Sequence, residues 1–158
     1  MTSQNKIQQL DDETIGHIAA GEVVERPAQV VKELLENSLD AGSTQIEIII
    51  ERGGFDSIVI TDNGSGISRN DIHLSVDRHA TSKLTSFNDL NEIYTMGFRG
   101  EALASIGMVS ELTVASKTRD GEGNCITVMY GKKGKIESYG MSYGTTVSVR
   151  NIFKNTPA

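Results

Sequence analysis

Residues 27–42 read PAQVVKELLENSLDAG, and two β-branched runs follow them, TQIEIIIE at 44–51 and SIVITD at 57–62. Proline at the first helical position and glycine just past the last one are typical boundaries of a helix. Gly53 and Gly54 join the two β-branched runs, which predicts a tight antiparallel connection between two strands. A helix followed by a β-hairpin is therefore the expected beginning of the fold.

The sequence on either side extends this pattern to a whole domain. Upstream, Asp11 or Asp12 can cap a helix that continues through Ile15 and Ile18. Downstream, a glycine-broken helical stretch at 70–106 precedes four alternating segments, at 111–116, 124–130, 135–139 and 145–149, with turns at Asp120-Gly121 and Lys133-Gly134. We predict an α+β fold, a two-layer sandwich with helices on one face of a mixed, mainly antiparallel sheet.

The composition excludes several classes of protein. The chain has 158 residues, of which 37% are hydrophobic and 23% charged, as expected for one globular domain. No apolar run approaches the roughly 18 residues of a membrane span, and Cys125 has no second cysteine with which to form a disulfide. The net charge of −6 disfavours a strong general nucleic-acid binder. We expect a soluble protein, cytoplasmic in a prokaryote or nuclear in a eukaryote.

Three short motifs carry candidate chemistry, and the first is Glu33 with Asn37. The two residues are four apart on the predicted helix, so their side chains are neighbours at the edge of its apolar face. A carboxylate can take a proton from an attacking water while an amide oxygen ligates Mg²⁺. The alternative is that both are ordinary solvated helix residues, which the spacing alone favours.

The second motif is DNGSGI, which begins at Asp62 and directly follows an apolar strand. A carboxylate at a strand end can accept a hydrogen bond from an exocyclic amine such as that of adenine. Glycines such as Gly66 allow backbone to pass close to a flat ring. An ordinary glycine-rich turn is the alternative interpretation.

The third motif is GFRGEAL at 97–103, a loop that leads into a predicted helix. Such a loop presents free N–H groups and the positive end of the helix dipole, which suit phosphate oxygens. The sequence contains no Gly-x-x-x-x-Gly-Lys-Ser/Thr motif, so any phosphate site would be of a different type.

The order of these motifs resembles the ATPase superfamily that contains gyrase, the large heat-shock chaperone, histidine kinases and MutL. The runs AAGEVVERPAQVVKELLENSLDAG at 19–42, DNGSGI, RHATSKL at 78–84 and GFRGEALASI at 97–106 look like MutL in particular. The resemblance implies a Bergerat-type ATP-binding fold. It also implies ATP and Mg²⁺ as cofactors.

The resemblance assigns roles to matching positions. Glu33 would be the general base for water, and Asn37 would be the Mg²⁺ ligand. Asp62 would accept from the adenine amine, with Gly66 close to the base and either Thr145 or Thr146 nearby through water. Two further groups would contact the nucleotide: Thr81, Ser82 and Lys83, and the phosphate-wrapping residues Arg99, Gly100, Glu101, Ala102 and Leu103.

The resemblance also implies a role in DNA mismatch repair. Residues 1–158 would be an N-terminal ATP-binding domain, truncated before a transducer domain that supplies a lysine to the γ-phosphate and before a C-terminal dimerisation domain. ATP binding and slow hydrolysis would drive lid closure and dimerisation, as a homodimer or a heterodimer of the family. This cycle would couple a MutS-type mismatch-recognition protein to repair, with DNA bound mainly outside this chain.

Two other functions remain possible from the sequence. One is a nucleotide-binding module without significant turnover. The other is the ATPase domain of a different superfamily member such as a type II topoisomerase, which the GFRGEAL and RHATSKL runs disfavour.

Overall fold

The computed structural model describes residues 25–77 and 102–155. Over these ranges the chain forms three α-helices and seven strands, with a short 3₁₀ helix between the first two strands. The elements are α1 Pro27–Asp40, β1 Ile46–Glu51, the 3₁₀ helix Arg52–Gly54, β2 Ser57–Asp62, α2 Arg69–Ser75, α3 Ala102–Met108, β3 Glu111–Lys117, β4 Asn124–Met129, β5 Lys132–Lys133, β6 Glu137–Ser138 and β7 Gly144–Arg150.

The strands form one sheet in the order β1-β2-β7-β3-β4-β5, with β6 also paired to β4. Every pairing within the described ranges is antiparallel. The predicted α+β fold is therefore confirmed, including the hairpin of the first two strands. No helix in the described ranges is long and apolar enough to cross a membrane.

Helix α1 begins and ends where the sequence predicts. Pro27 occupies its first position, and the Oε1 atom of Gln29 accepts a hydrogen bond from the backbone N–H of Arg26 at 3.3 Å. The chain leaves the helix through Gly42, whose φ of 75° suits a residue without a Cβ. Local capping signals thus set the length of this helix.

The antiparallel register arranges side chains in rows across the sheet. Successive residues of a strand point to opposite faces, so paired residues on one face line up from strand to strand. Two rows are apolar and mostly buried: Ile58, Val149, Leu112 and Val128, then Ile60, Val147, Val114 and Ile126. The third row, which we call the polar row, consists of Asp62, Thr145, Ser116 and Asn124.

The helices cover the face that carries these rows. Val30 and Leu34 of α1, Ile72 of α2 and Ile106 of α3 belong to the same buried cluster as the apolar rows. The polar row lies at the end of the sheet next to this core. Its side chains hydrogen-bond to the protein, as buried polar groups require.

One predicted turn is wrong. The structure reverses the chain after β4 at Tyr130-Gly131, not at Lys133-Gly134, and Lys132 pairs with Met129. Both turn residues have positive φ, 48° and 90°, as a two-residue hairpin turn demands. Tyrosine is unusual there, and a tertiary contact holds it, since its hydroxyl donates to the carbonyl of Asn151 at 2.8 Å.

Other boundaries also differ from the sequence prediction. Gly134 is still bonded to β4, because its N–H donates to the carbonyl of Thr127 at 2.8 Å, and the strand expected at 135–139 shortens to Glu137–Ser138. The turn at Asp120-Gly121 is confirmed, since the Gly121 N–H bonds to the Thr118 carbonyl. The helix expected from Asp11 or Asp12, and the middle of the predicted stretch 70–106, lie outside the described residues.

The glycine that begins β7 generates a test of this packing. Gly144 has a φ of 122°, and a Cβ on it would lie 2.0 Å from the carbonyl oxygen of Asp62. Gly42 has a φ of 75°, and apart from its chain neighbours no atom of the described residues would lie within 4 Å of a Cβ there. Gly42→Ala should lower the free energy of unfolding by about 1–2 kcal/mol through backbone strain alone. Gly144→Ala should lower it by roughly 1–3 kcal/mol more through overpacking. Urea denaturation measures both, and equal losses would contradict this packing.

Candidate functional site

The carboxylate of Asp62 stands at the end of β2, where the polar row meets α1. Asp62 is 9% exposed, and three groups in the described part of the chain donate to it. Its Oδ2 accepts from the Ser38 hydroxyl at 2.6 Å, and its Oδ1 accepts from the backbone N–H groups of Gly64 at 2.9 Å and Thr145 at 3.2 Å. Three elements of the structure thus fix one side chain.

These contacts leave part of the carboxylate free to bind a donor. The two oxygens of a carboxylate offer about four acceptor positions. Within residues 25–77 and 102–155, donors fill three of them, two on Oδ1 and one on Oδ2. The position that remains, on Oδ2, can accept from one N–H or O–H group.

Ser38 is a residue that the sequence analysis missed. It is 3% exposed and follows Val30 and Leu34 at intervals of four residues along the buried stripe of α1. A serine in an apolar stripe needs a hydrogen-bond partner inside the protein. The sequence signal that could have identified Ser38 is therefore its place as a polar residue at a core position of the helix.

The loop after Asp62 is tightly held. Asn63 accepts through Oδ1 from the backbone N–H groups of Thr44 at 2.8 Å and Gln45 at 2.9 Å. Gly66 has a φ of 78°, and a Cβ on it would lie 2.3 Å from the carbonyl oxygen of Lys117. This glycine is thus required by the close approach of two segments of the protein itself.

Successive side chains of β7 point to opposite faces of the sheet, so the two candidate threonines lie on different faces. Thr145 pairs with Asp62 on the helix-covered face, and its Oγ1 lies 2.7 Å from the Ser116 hydroxyl. Thr146 pairs with Thr61 on the opposite face, where their hydroxyls are 3.3 Å apart. Of the two, only Thr145 lies in the polar row.

Glu33 and Asn37 lie one turn apart on α1 and border its buried stripe. Both are partly exposed. Within residues 25–77 and 102–155, no three His, Cys, Asp or Glu side chains form a group that can hold a metal ion. Of the residues predicted for the site, Asp62, Thr145 and Gly66 lie together at the end of the sheet. Glu33 and Asn37 lie on the neighbouring helix α1.

The remaining candidates fall mostly outside the described residues. Ala102 and Leu103 begin α3, where Ala102 is fully buried and Leu103 packs against the core. Both side chains pack into or against the core, so we expect a ligand contact here mainly through backbone groups. Six predicted residues lie in the undescribed segment: Thr81, Ser82, Lys83, Arg99, Gly100 and Glu101.

Cys125 lies on β4 with its side chain on the face opposite the polar row. Partial burial, and then the nearby carboxylate of Glu137, raise the pKa of its thiol. A thiol with a raised pKa stays protonated at neutral pH and is a poor nucleophile. The structure offers no support for cysteine chemistry at this position.

Comparison with known proteins identifies the family of this chain. The family model described as "Histidine kinase-, DNA gyrase B-, and HSP90-like ATPase" matches residues 25–154. The DNA mismatch repair protein MutL of Pelobacter propionicus is 58% identical over 142 residues, which cover 89% of this chain and 23% of that protein. MutL of Halobacterium salinarum is 49% identical over 156 residues, which cover 98% of this chain and 24% of that protein.

Solved structures agree with these matches. The N-terminal domain of a DNA repair protein superposes with a TM-score of 0.75 at 35% identity, over 94% of this chain and 44% of that one. The Aquifex aeolicus MutL ATPase domain complexed with ADP gives 0.63 at 32% identity, over 85% and 46%. The chain spans about a quarter of the length of its curated relatives. It belongs to the MutL family of DNA mismatch repair proteins, among the ATPases related to histidine kinases, DNA gyrase B and HSP90.

Proposed function

We propose that this chain binds magnesium-ATP and that the adenine lies against the polar row. The observation that carries the proposal is the buried Asp62 carboxylate, fixed by three donors and left with one acceptor position on Oδ2. An exocyclic amine fits this position because it is a donor. A related MutL ATPase domain was solved complexed with ADP, which supports a nucleotide at this site.

The electrostatics of this position favour adenine over guanine. A hydrogen bond to a charged, buried acceptor is stronger than one between neutral groups. Guanine carries a carbonyl where adenine carries its amine, so it would place a second acceptor against Oδ2. Asp62 therefore distinguishes the two bases by the polarity of one hydrogen bond.

The phosphates and their cation are proposed to lie beside α1. Mg²⁺ takes oxygen ligands, and it is commonly held by one or two protein groups together with substrate phosphates and water. The amide oxygen of Asn37 suits such a ligand, and the Glu33 carboxylate one turn away suits a general base for water. Thr81, Ser82 and Lys83 would contact the nucleotide. The phosphates would be wrapped, mostly through backbone N–H groups, by Arg99, Gly100, Glu101, Ala102 and Leu103.

The cycle of the whole protein is a broader proposal. We infer that residues 1–158 form the N-terminal ATP-binding domain, and that nucleotide-driven lid closure and dimerisation couple mismatch recognition to repair. The partners would be a second MutL-type chain, identical or different, and a MutS-type protein, with DNA bound mainly by other regions. This proposal rests on relatives of which the chain spans about a quarter.

The recognition of adenine is tested by Asp62→Ala. Loss of a hydrogen bond to a charged group should weaken ATP binding by roughly 1.5–3 kcal/mol, measured by calorimetry. Asp56→Ala is the matched control, because this aspartate precedes the same strand and its carboxylate forms an exposed ion pair with Arg52, away from the polar row. Wild-type protein should bind GTP poorly, and equal affinity for ATP and GTP would contradict the assignment of Asp62.

Turnover separates an ATPase from a binding module. The test needs two proteins, the 158-residue chain and the same chain continued by the C-terminal part of a matched MutL protein. In the continued chain, Glu33→Ala should bind ATP normally and reduce hydrolysis about 10²- to 10⁴-fold, because a general base acts mainly in the transition state. In the 158-residue chain the same substitution should matter much less. The continued chain should hydrolyse ATP far faster, because a γ-phosphate lysine from the added part would stabilise the transition state.

Glu47→Ala is the control for this experiment, since Glu47 is exposed on the edge strand β1. It should leave the hydrolysis rate unchanged. Equal rates in the 158-residue and the continued chain would show that catalysis needs no residue beyond position 158.

A further inference from the structure

Ser116 lies in the polar row, fully buried between Thr145 and Asn124. Its Oγ has three polar neighbours: the backbone N–H of Ile67 at 2.7 Å, the carbonyl oxygen of Gly144 at 2.9 Å and the Oγ1 atom of Thr145 at 2.7 Å. None of the proposed nucleotide contacts includes Ser116. Its hydroxyl nevertheless touches the threonine that stands next to Asp62.

The three contacts determine where the protons lie. A hydroxyl has one proton to donate and two lone pairs to accept with. The Ile67 N–H can only donate, and the Gly144 carbonyl can only accept. All three contacts are hydrogen bonds in a single arrangement, in which Ser116 donates to Gly144 and accepts from both Ile67 and Thr145. Any other arrangement would leave one of the three contacts without a hydrogen bond.

The proton of Thr145 is therefore directed into the protein. The lone pairs of the Thr145 hydroxyl remain available to a ligand, and they lie on the same face of the sheet as the free acceptor position of Asp62. Threonine ordinarily rotates its hydroxyl to donate or to accept as its partner requires. Because the Thr145 hydroxyl already donates its proton to Ser116, it cannot donate to a ligand. Both Asp62 and Thr145 can therefore only accept hydrogen bonds from a ligand.

We propose that Ser116 is a positioning residue that sets base selectivity by fixing the Thr145 hydroxyl as an acceptor. The inference rests on the proposed binding of adenine at this site. The adenine amine, or a water that bridges to the ring, can donate to Thr145. A base with a carbonyl at that ring position requires a donor, and the site holds none at Asp62 or Thr145.

Thr145→Val tests the direction of the hydrogen bond, with ATP and inosine triphosphate as probes. Inosine triphosphate carries a carbonyl where ATP carries the amine. Valine keeps the shape of threonine and loses the hydroxyl, so ATP affinity should fall by about 3- to 10-fold, as for one neutral hydrogen bond. The affinity for inosine triphosphate should not change. Losses of equal size for both nucleotides would overturn the proposal.

Ser116→Ala tests the positioning role itself. Without Ser116 the Thr145 hydroxyl can turn and donate to a carbonyl, so the ratio of ATP to inosine triphosphate affinities should fall about 3- to 10-fold. Adding Thr145→Val to this variant should abolish the gain in inosine triphosphate binding. A ratio that stays at the wild-type value, or a gain that persists in the double variant, would overturn the proposal.

Ser110→Ala is the matched control. Ser110 is also fully buried, and its hydroxyl donates to the Ile106 carbonyl at 2.7 Å, outside the polar row. This variant should lose a buried hydroxyl without changing the nucleotide ratio. The Thr145→Val measurement stands by itself if Ser116→Ala fails to fold.

The wild-type affinities for ATP and inosine triphosphate distinguish failure of this inference from failure of the proposed function. If the wild-type protein binds ATP and inosine triphosphate equally, or binds neither, adenine recognition at Asp62 is wrong and the inference falls with it. If it prefers ATP but the preference is insensitive to Ser116 and Thr145, only the positioning role is wrong.

Discussion

The hydrogen bond between the Ser38 hydroxyl and the Asp62 carboxylate, at 2.6 Å, joins the helical layer to the sheet at the candidate site. It is buried, and the same carboxylate also accepts from the loop after β2 and from the start of β7. Because one charged group holds three elements, the position of each depends on the others. Removing any one donor would leave an oxygen of a buried carboxylate without one of its hydrogen bonds. This loss would destabilise the fold, because water does not replace the donor in the interior.

The register of the sheet makes this arrangement possible. Side chains alternate between faces, so a slip of one residue in β2 would move Asp62 to the outer face and bring Thr61 toward the helices. The apolar rows specify the register, because Ile58 and Ile60 would leave the core in the same slip. The packing energy of the apolar rows thus fixes the position of the polar row. The proposed selectivity for adenine would therefore depend on the same core that stabilises the fold.

Local signals explain how much could be predicted from the sequence. Helix α1 is bounded by a proline and a glycine, and the β1–β2 hairpin is marked by two β-branched runs, so both follow from neighbouring residues. Asp62 could be selected because it ends an apolar strand. In contrast, the roles of Ser38 and Ser116 depend on residues more than twenty positions away. The same holds for the Tyr130-Gly131 turn, which depends on a contact with Asn151.

The choice between Thr145 and Thr146 shows the limit most clearly. Adjacent threonines have the same chemistry, and only the pairing of β7 with β2 decides which one faces the helices. That pairing joins positions more than eighty residues apart, and no local pattern encodes it. Family resemblance indicated that a threonine belongs at this place, while the register indicates which of the two lies in the polar row.

A crystal structure of the protein with a non-hydrolysable ATP analogue and Mg²⁺ would show which group binds to Asp62. We expect the adenine amine within hydrogen-bond distance, about 3 Å, of the Asp62 Oδ2 atom, with Thr145 beside the base. The Ser38 hydroxyl should still donate to that carboxylate. A base bound elsewhere, or a ribose or phosphate group against Asp62, would show that Asp62 does not recognise adenine.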